Sequence, residues 1–147
     1  MSDSDNILIE FEISTTDSAA ELGIRVYLNG TTVYENSHVK ESYNFSHTIS
    51  NNEGEHELAI EMFGKLPGHT TIDEAGNILK DAMLTVKNID FDGIDVSDVV
   101  RVIGEYHHDF NGTQAATVQK FYSNLGCNGT VKLKFSTPVY LWLLENM

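Results

Sequence analysis

The fold class is decided by residues 22–34, which read LGIRVYLNGTTVY. Positions 22, 24, 26 and 28 carry apolar side chains. Arg25 and Tyr27 lie between them and fall on the opposite face. Such alternation is typical of a strand with one face in a core and the other in water. Asn29-Gly30 then supplies two residues that tolerate positive φ, as a type I′ hairpin turn requires. The stretch therefore predicts an antiparallel hairpin.

The period of two continues along the chain on either side of this hairpin. Turn-forming residues, such as those of the segment 51–54, separate the runs. Long amphipathic helices and an alternation of strands with helices are not found in the sequence. These features predict an all-β, antiparallel β-sandwich of jelly-roll type, with one short helix in residues 114–122. The runs with strand character are 7–13, 22–28, 31–34, 43–49, 58–63, 83–91, 99–103, 131–135 and 139–144.

Size and charge limit the function. At 147 residues with 41% apolar side chains, the chain has the size of one domain, 1–147, with a core of its own. The net charge is −13, from 22 acidic and 9 basic side chains, so nucleic acids and anionic membranes are not expected as partners. The polar, acidic start of the sequence and the single Cys127 predict synthesis and folding in a cytoplasm.

The segment 139–144 is apolar on both alternating faces. A strand of that kind has to be covered on both sides. We therefore expect one face to pack in the core and the other to meet a second layer or a neighbouring subunit. The core face would carry Val139, Leu141 and Leu143, and the other face Tyr140, Trp142 and Leu144.

Two groups of residues are candidates for catalysis. Glu10 and Glu12 have a spacing that a glycosidase could use, but their strand pattern places them on a solvent face. His107-His108-Asp109 suggests a metal site, yet adjacent strand residues point to opposite faces. A zinc site needs three or four converging ligands. No catalytic motif is present, so the sequence predicts a protein that is not an enzyme.

Asp90, Asp92 and Asp95 form the densest acidic cluster and are the candidate metal ligands. Ca²⁺ takes six to eight oxygen ligands, which carboxylates and backbone carbonyls can supply together. The EF-hand pattern does not fit, because the glycine at position 93 comes fourth in the segment 90–95 rather than sixth. The alternative is a strand that ends in an Asp-Gly turn and binds no cofactor.

Aromatic side chains are the candidate contacts for a glycan or a protein partner. Tyr27 lies opposite the apolar face of its strand, which predicts that it is exposed. Tyr140 and Trp142 share the second face of the C-terminal run. Aromatic rings also favour half-buried strand positions, so a purely structural role is the alternative for all three.

Several segments resemble uncharacterised proteins of tailed, myovirus-type bacteriophages, especially large marine ones. The similar segments are 54–65, 71–81, 84–95 and the ending 135–147. The resemblance implies a virion-associated structural or accessory protein of the capsid, tail or baseplate, present in several copies and assembled with other virion proteins.

Residues 7–96 also resemble the jelly-roll carbohydrate-binding modules that bind xylan with calcium. The resemblance rests on Val26-Tyr27-Leu28-Asn29-Gly30 before a hairpin and on the segment 89–94. It implies a β-sandwich with a calcium-assisted sugar-binding face, which residues 97–147 would complete or extend.

The leading hypothesis is therefore a non-enzymatic virion protein that acts by assembly and is made in the host cytoplasm. The alternative is a glycan-binding module, with or without calcium, that aids adsorption to host surface polysaccharide.

Overall fold

The computed structural model describes residues 6–109, 115–121 and 123–146. Two helices are found there, α1 (Ser97–Ile103) and α2 (Val139–Glu145), together with a 3-10 turn at Pro67–His69. Neither α1 nor α2 has the length and apolar composition that a membrane span requires. The strands are β1 (Asn6–Thr15), β2 (Gly23–Leu28), β3 (Thr31–Asn36), β4 (Tyr43–Ser50), β5 (Gly54–Phe63), β6 (Thr70–Ile72), β7 (Ile78–Asp81), β8 (Leu84–Phe91), β9 (Ile94–Asp95), β10 (Glu105–His108), β11 (Thr117–Lys120), β12 (Asn124–Leu125) and β13 (Gly129–Thr137).

The strands form an antiparallel sandwich, as the alternating pattern predicts. The first sheet has the order β12-β8-β1-β4, with β9 also paired to β8. The second sheet has the order β11-β10-β13-β5-β2-β3. Strands β6 and β7 form a separate hairpin. In the second sheet β13 lies between β5 and β10. Strands from residues 7–96 and strands from residues 97–147 therefore belong to the same sheet.

The core lies between the inner faces of the two large sheets. Each long strand contributes every second residue, and the helices and loops cover the ends. Burial of one large apolar side chain contributes roughly 1.5–3 kcal/mol, so this layer supplies most of the stabilisation. Fully buried members include Ile7, Ile9, Ile13, Leu22, Ile24, Val26, Met62, Leu84, Phe91 and Leu133.

The C-terminal run forms helix α2, so the prediction of a strand at 139–144 is wrong. Val139, Trp142 and Leu143 are buried, which is the i, i+3, i+4 spacing of one helix face. Tyr140 and Leu141 are 51% and 58% exposed. A short apolar run has no periodicity that separates a buried strand from a helix, and Pro138 can precede either one.

Two further local predictions are corrected. Residues 99–103 belong to helix α1 rather than to a strand. The carboxylate of Asp95 accepts a hydrogen bond from the backbone N–H of Ser97 at 2.8 Å, which satisfies one of the free donors at the start of this helix. In the segment 114–122, where a short helix was expected, Thr117–Lys120 forms strand β11, and positions 114 and 122 lie outside the described residues.

A buried ammonium group attaches the segment between β5 and β8 to the sandwich. The side chain of Lys65 is 2% exposed, and its ammonium group bonds the carboxylate of Asp81 and donates to the carbonyl of Gly126 at 2.6 Å. Thr70 donates to the same carboxylate at 2.7 Å. These four residues, which we call the Lys65 centre, join the base of the β6–β7 hairpin to the loop before β13.

Candidate functional site

A depression with a volume of about 590 Å³ lies at one end of the second sheet. The β2–β3 turn, the start of β5, the end of β13 and helix α2 meet there. Its lining residues are Asn29, Glu55, His56, Glu57, Lys134, Phe135, Ser136 and Trp142. A volume of this size is within the range of small-molecule sites, roughly 300–1,000 Å³.

Asn29 is placed at the rim by the hairpin turn that the sequence predicts. Its φ is 53° and that of Gly30 is 82°, so both occupy the left-handed region that a type I′ turn needs. The side-chain carbonyl of Asn29 accepts the backbone N–H of Glu57 at 2.9 Å, which fastens the turn to β5. Its amide nitrogen lies 3.1 Å from Nδ1 of His56.

The imidazole of His56 connects this amide to β13. Since the Asn29 amide can only donate, Nδ1 of His56 is assigned as the acceptor and Nε2 carries the proton. Nε2 then donates to the hydroxyl of Thr137 at 3.0 Å, and Thr137 donates to the carbonyl of Asn52. This sequence of hydrogen bonds, the His56 chain, holds one wall of the depression without any charged group.

Aromatic rings pack together at this end of the sandwich. The ring of His56 is stacked on Phe135 with centroids 5.3 Å apart, and Phe135 meets the edge of Trp142 at 5.9 Å. Trp142 is also stacked on Phe91 at 5.7 Å. The indole is 5% exposed, so this predicted contact residue is mainly part of the core and only its margin reaches the depression.

The rim is polar and charged. Glu57 is the cross-strand neighbour of Lys134, and Glu55 is the neighbour of Ser136. Carboxylates and the carbonyl groups accept hydrogen bonds, whereas the ammonium and amide groups donate them. This arrangement of donors and acceptors can hold an uncharged ligand that has many hydroxyl groups.

The acidic cluster is divided by the hairpin between β8 and β9. Asp92 and Gly93 form the turn, with φ values of 55° and 82°, and Asp90 is paired in register with Asp95. Hydrogen bonding from Ser97 lowers the pKa of Asp95, which holds that carboxylate at the start of α1. Within the described residues, no three histidine, cysteine, aspartate or glutamate side chains gather closely enough to hold a metal ion. The three aspartates therefore do not fit a calcium site without further ligands.

The two tyrosines predicted as contacts lie on different surfaces. Tyr27 is half-buried on the outer face of the second sheet, where its hydroxyl donates to Glu61 at 2.8 Å and this bond raises the pKa of Tyr27. Arg25 bonds the same carboxylate at 3.2 Å. Tyr140 lies on α2, and its hydroxyl donates to Asp92 at 3.3 Å.

The two groups considered for catalysis stay apart from the depression. His107 is half-exposed and lies 3.2 Å from Glu105, whereas His108 is buried and its Nε2 lies 2.7 Å from Gln119. The two imidazoles are thus on opposite faces of β10, as strand geometry predicts. Glu12 is paired with Lys87 at 3.2 Å on the outer face of the first sheet.

Sequence reasoning missed Asn29, His56 and Thr137 as site residues. At Asn29 the sequence indicates only the hairpin turn. The local sequence around His56 and Thr137 carries no signal, because their hydrogen bond joins residues 81 positions apart. The pairing of β5 with β13 brings them together.

No protein-family model matches the sequence, and no curated protein matches it. Among solved structures, the selenomethionine form of vCBM60 is similar over 86% of this chain and 88% of its own, with a TM-score of 0.52 and 12% identity. That structure belongs to work on circular permutation as an evolutionary link between two families of calcium-dependent carbohydrate-binding modules. A complex of vCBM60 with galactobiose is similar over 85% of this chain and 95% of its own, with a TM-score of 0.48 and 13% identity. The similarity at 0.52 supports the β-sandwich fold.

Proposed function

We propose that this chain is a non-catalytic glycan-binding module. The observation that carries the proposal is the depression of about 590 Å³, which is lined by amide, carboxylate, imidazole and ammonium side chains. The shared fold with a carbohydrate-binding module supports it. Sugar hydroxyls need donors and acceptors at fixed positions, and the His56 chain together with the bond from Glu57 to Asn29 holds the wall rigid.

The charge of the protein selects among glycans. With a net charge of −13, the surface repels uronic acids and sulfated sugars at long range. Glu55 and Glu57 add negative charge at the rim itself, against the single Lys134. The proposed ligand is therefore an uncharged polysaccharide, of the kind that coats a host cell surface.

A glycan array of uncharged and acidic polysaccharides tests this proposal. We expect binding to one or more uncharged glycans. Replacement of rim carboxylates, Glu55→Gln and Glu57→Gln, should weaken binding by roughly fivefold each, which corresponds to one lost hydrogen bond. Glu41→Gln is the matched control, because Glu41 is exposed and precedes β4 at the opposite end of the sandwich. Failure to bind any uncharged glycan, or equal binding by the rim variants, would contradict the proposal.

Calcium is tested in the same experiment by repeating the array with a chelator. Since Asp90, Asp92 and Asp95 do not converge, we expect glycan binding and the melting temperature to be the same with and without millimolar calcium. A rise in melting temperature that is lost in the Asp90→Asn, Asp92→Asn double variant would instead place calcium at this hairpin.

Assembly into a phage particle is the second candidate function, and helix α2 favours it. Tyr140, Leu141 and Leu144 are 51–71% exposed and lie on one side of the helix. Large apolar side chains grouped on a surface are typical of protein contacts. If this proposal is right, mass spectrometry of purified particles will detect the chain, and Leu141→Ser with Leu144→Ser will reduce its incorporation without unfolding it. Absence of the wild-type chain from particles would contradict the assembly role.

A further inference from the structure

Strand β4 is an unprotected edge of the first sheet. It pairs with β1 in an unbroken register over eight residues, from Tyr43 opposite Ile13 to Ser50 opposite Asn6. The strand contains no charged residue and no proline. Its outward side therefore presents a straight row of backbone N–H and C=O groups to which another strand can bind.

The other sheet edges in the described part of the chain have the features that normally prevent such pairing. Strand β3 has a bulge opposite Val26 and carries Glu35 in an ion pair with Arg25. Strand β11 is four residues long and ends in Lys120. Strands β9 and β12 have only two residues each. Charge, bulges and short length are the usual protections of an edge, and β4 has none of them.

We propose that β4 pairs antiparallel with β4 of a second copy of this chain, so that the two first sheets join into one continuous sheet across a two-fold axis. A two-fold interface has to be self-complementary, and this strand meets that requirement. With Ser46 on the axis, Asn44 lies opposite Thr48 of the second copy on the outer face. On the inner face, Tyr43 lies opposite Ile49 and Phe45 opposite His47.

The side chains of β4 suit this pairing on both faces. The outer residues Asn44, Ser46 and Thr48 are exposed and uncharged, and the inner residue Tyr43 is 42% exposed at the end of an aromatic row. Its ring is stacked on Tyr34 at 4.4 Å, which keeps it in place beside the edge. Aromatic and β-branched cross-strand pairs stabilise antiparallel sheets.

The high negative charge does not oppose this particular contact. Glu41 lies two residues before the strand, and the acidic residues paired with β4 itself are Glu10 and Glu12 on β1, one strand inward. Across the axis they would be three strand spacings apart, about 14 Å. That distance exceeds the screening length of about 8 Å at physiological salt, and Glu12 is already paired with Lys87. A second copy therefore meets an edge that is neutral in an otherwise acidic protein.

Sedimentation of the full chain over a range of concentrations tests the proposal. We expect a dimer that dissociates on dilution. Ser46→Lys places two ammonium groups on the axis and should raise the dissociation constant by about tenfold or more, whereas Ser46→Ala should not. Thr32→Lys on the protected edge β3 is the control for added charge. Circular dichroism and melting curves check that each variant is folded, and Thr48→Lys replaces Ser46→Lys if the latter is not.

Hydrogen exchange of the wild-type chain gives a second readout that needs no variant. Amides of β4 that point away from β1 should exchange more slowly as the concentration rises, while those of β3 should not change. A chain that stays monomeric up to about millimolar concentration, with β4 amides exchanging equally fast throughout, would overturn the proposal. A dimer that persists in folded Ser46→Lys and Thr48→Lys variants would also overturn the proposal, because another surface would then hold the two copies together.

Discussion

Two polar centres lie at opposite ends of β5, and they differ in charge and in access to solvent. The Lys65 centre, after the strand, buries an ammonium group at 2% side-chain exposure against a carboxylate that is 24% exposed. The His56 chain, near the start of the strand, is neutral and lines an open depression. A buried charge is tolerated only where its partners are fixed, so the first centre suits an anchor. A neutral chain of hydrogen bonds beside an open depression suits ligand binding.

Trp142→Ala should have the largest effect, because its indole packs in the core against Phe91 and Phe135. We expect a loss of roughly 3–5 kcal/mol in the free energy of unfolding, as for other buried aromatic residues. Most domains have only about 5–15 kcal/mol in total, so this variant will be marginally folded. Urea titration measures it, with the exposed Tyr140→Ala on the same helix as control. Equal effects of the two changes would show that α2 does not cover the core.

Breaking the Lys65 centre should have the next largest effect. Lys65→Met leaves the carboxylate of Asp81 without its ammonium partner, and we expect a loss of about 3 kcal/mol. Lys80→Met is the matched control, because Lys80 is 63% exposed and paired with Asp17 at 3.1 Å. That exposed pair should contribute less than about 1 kcal/mol. The double variant Lys65→Met, Asp81→Asn should recover part of the loss, and failure to do so would contradict the assigned partnership.

Thr137→Val tests the neutral centre and should have a smaller effect. The change leaves Nε2 of His56 and the carbonyl of Asn52 without their shared hydroxyl, at a cost of about 1–2 kcal/mol. Thr130→Val on the same strand lies on the outer face and should change stability by less than about 0.5 kcal/mol. If the His56 chain shapes the depression, Thr137→Val should also weaken glycan binding at temperatures where the variant is folded.

The smallest expected effect is on the reactivity of the Cys127 thiol. Burial raises the pKa of the Cys127 thiol, which lies next to Gly126. The raised pKa keeps more of the thiol neutral, so alkylation at pH 8 should be slower in the folded chain than in urea. As the pH rises from the pKa of the unfolded thiol toward that of the folded one, the thiol should progressively destabilise the fold. Equal alkylation rates in the folded chain and in urea would show that the Cys127 thiol is accessible in the fold.

The sequence was sufficient for features that depend on neighbouring residues. Alternation identified β1 and β2, and Asn29-Gly30 identified the hairpin turn, because side-chain direction and backbone φ are set locally. It was insufficient for α1 and α2. A run of a few apolar residues can be buried either as a strand or as a helix. The conformation depends on whether positions 139, 142 and 143 or alternate positions meet the core.

The polar centres were not predictable because their partners are distant in the sequence. His56 and Thr137 meet only after β5 pairs with β13, and Lys65 becomes buried only when the loop at Gly126 closes over it. The candidate metal residues illustrate the same limit. Asp90 and Asp95 are brought into register by a turn that the sequence does predict, yet their convergence with a third ligand depends on the surrounding sheet.

The position of β13 has a consequence for the order in which the protein is made. Strand β5 is complete at Phe63, but its neighbour in the sheet begins only at Gly129. A ribosome adds about 5–20 residues each second, so β5 has an open edge for several seconds in every nascent chain. Such long-range pairing also makes folding slow. The growing polypeptide is therefore most exposed to aggregation and to chaperones during the synthesis of residues 64–128.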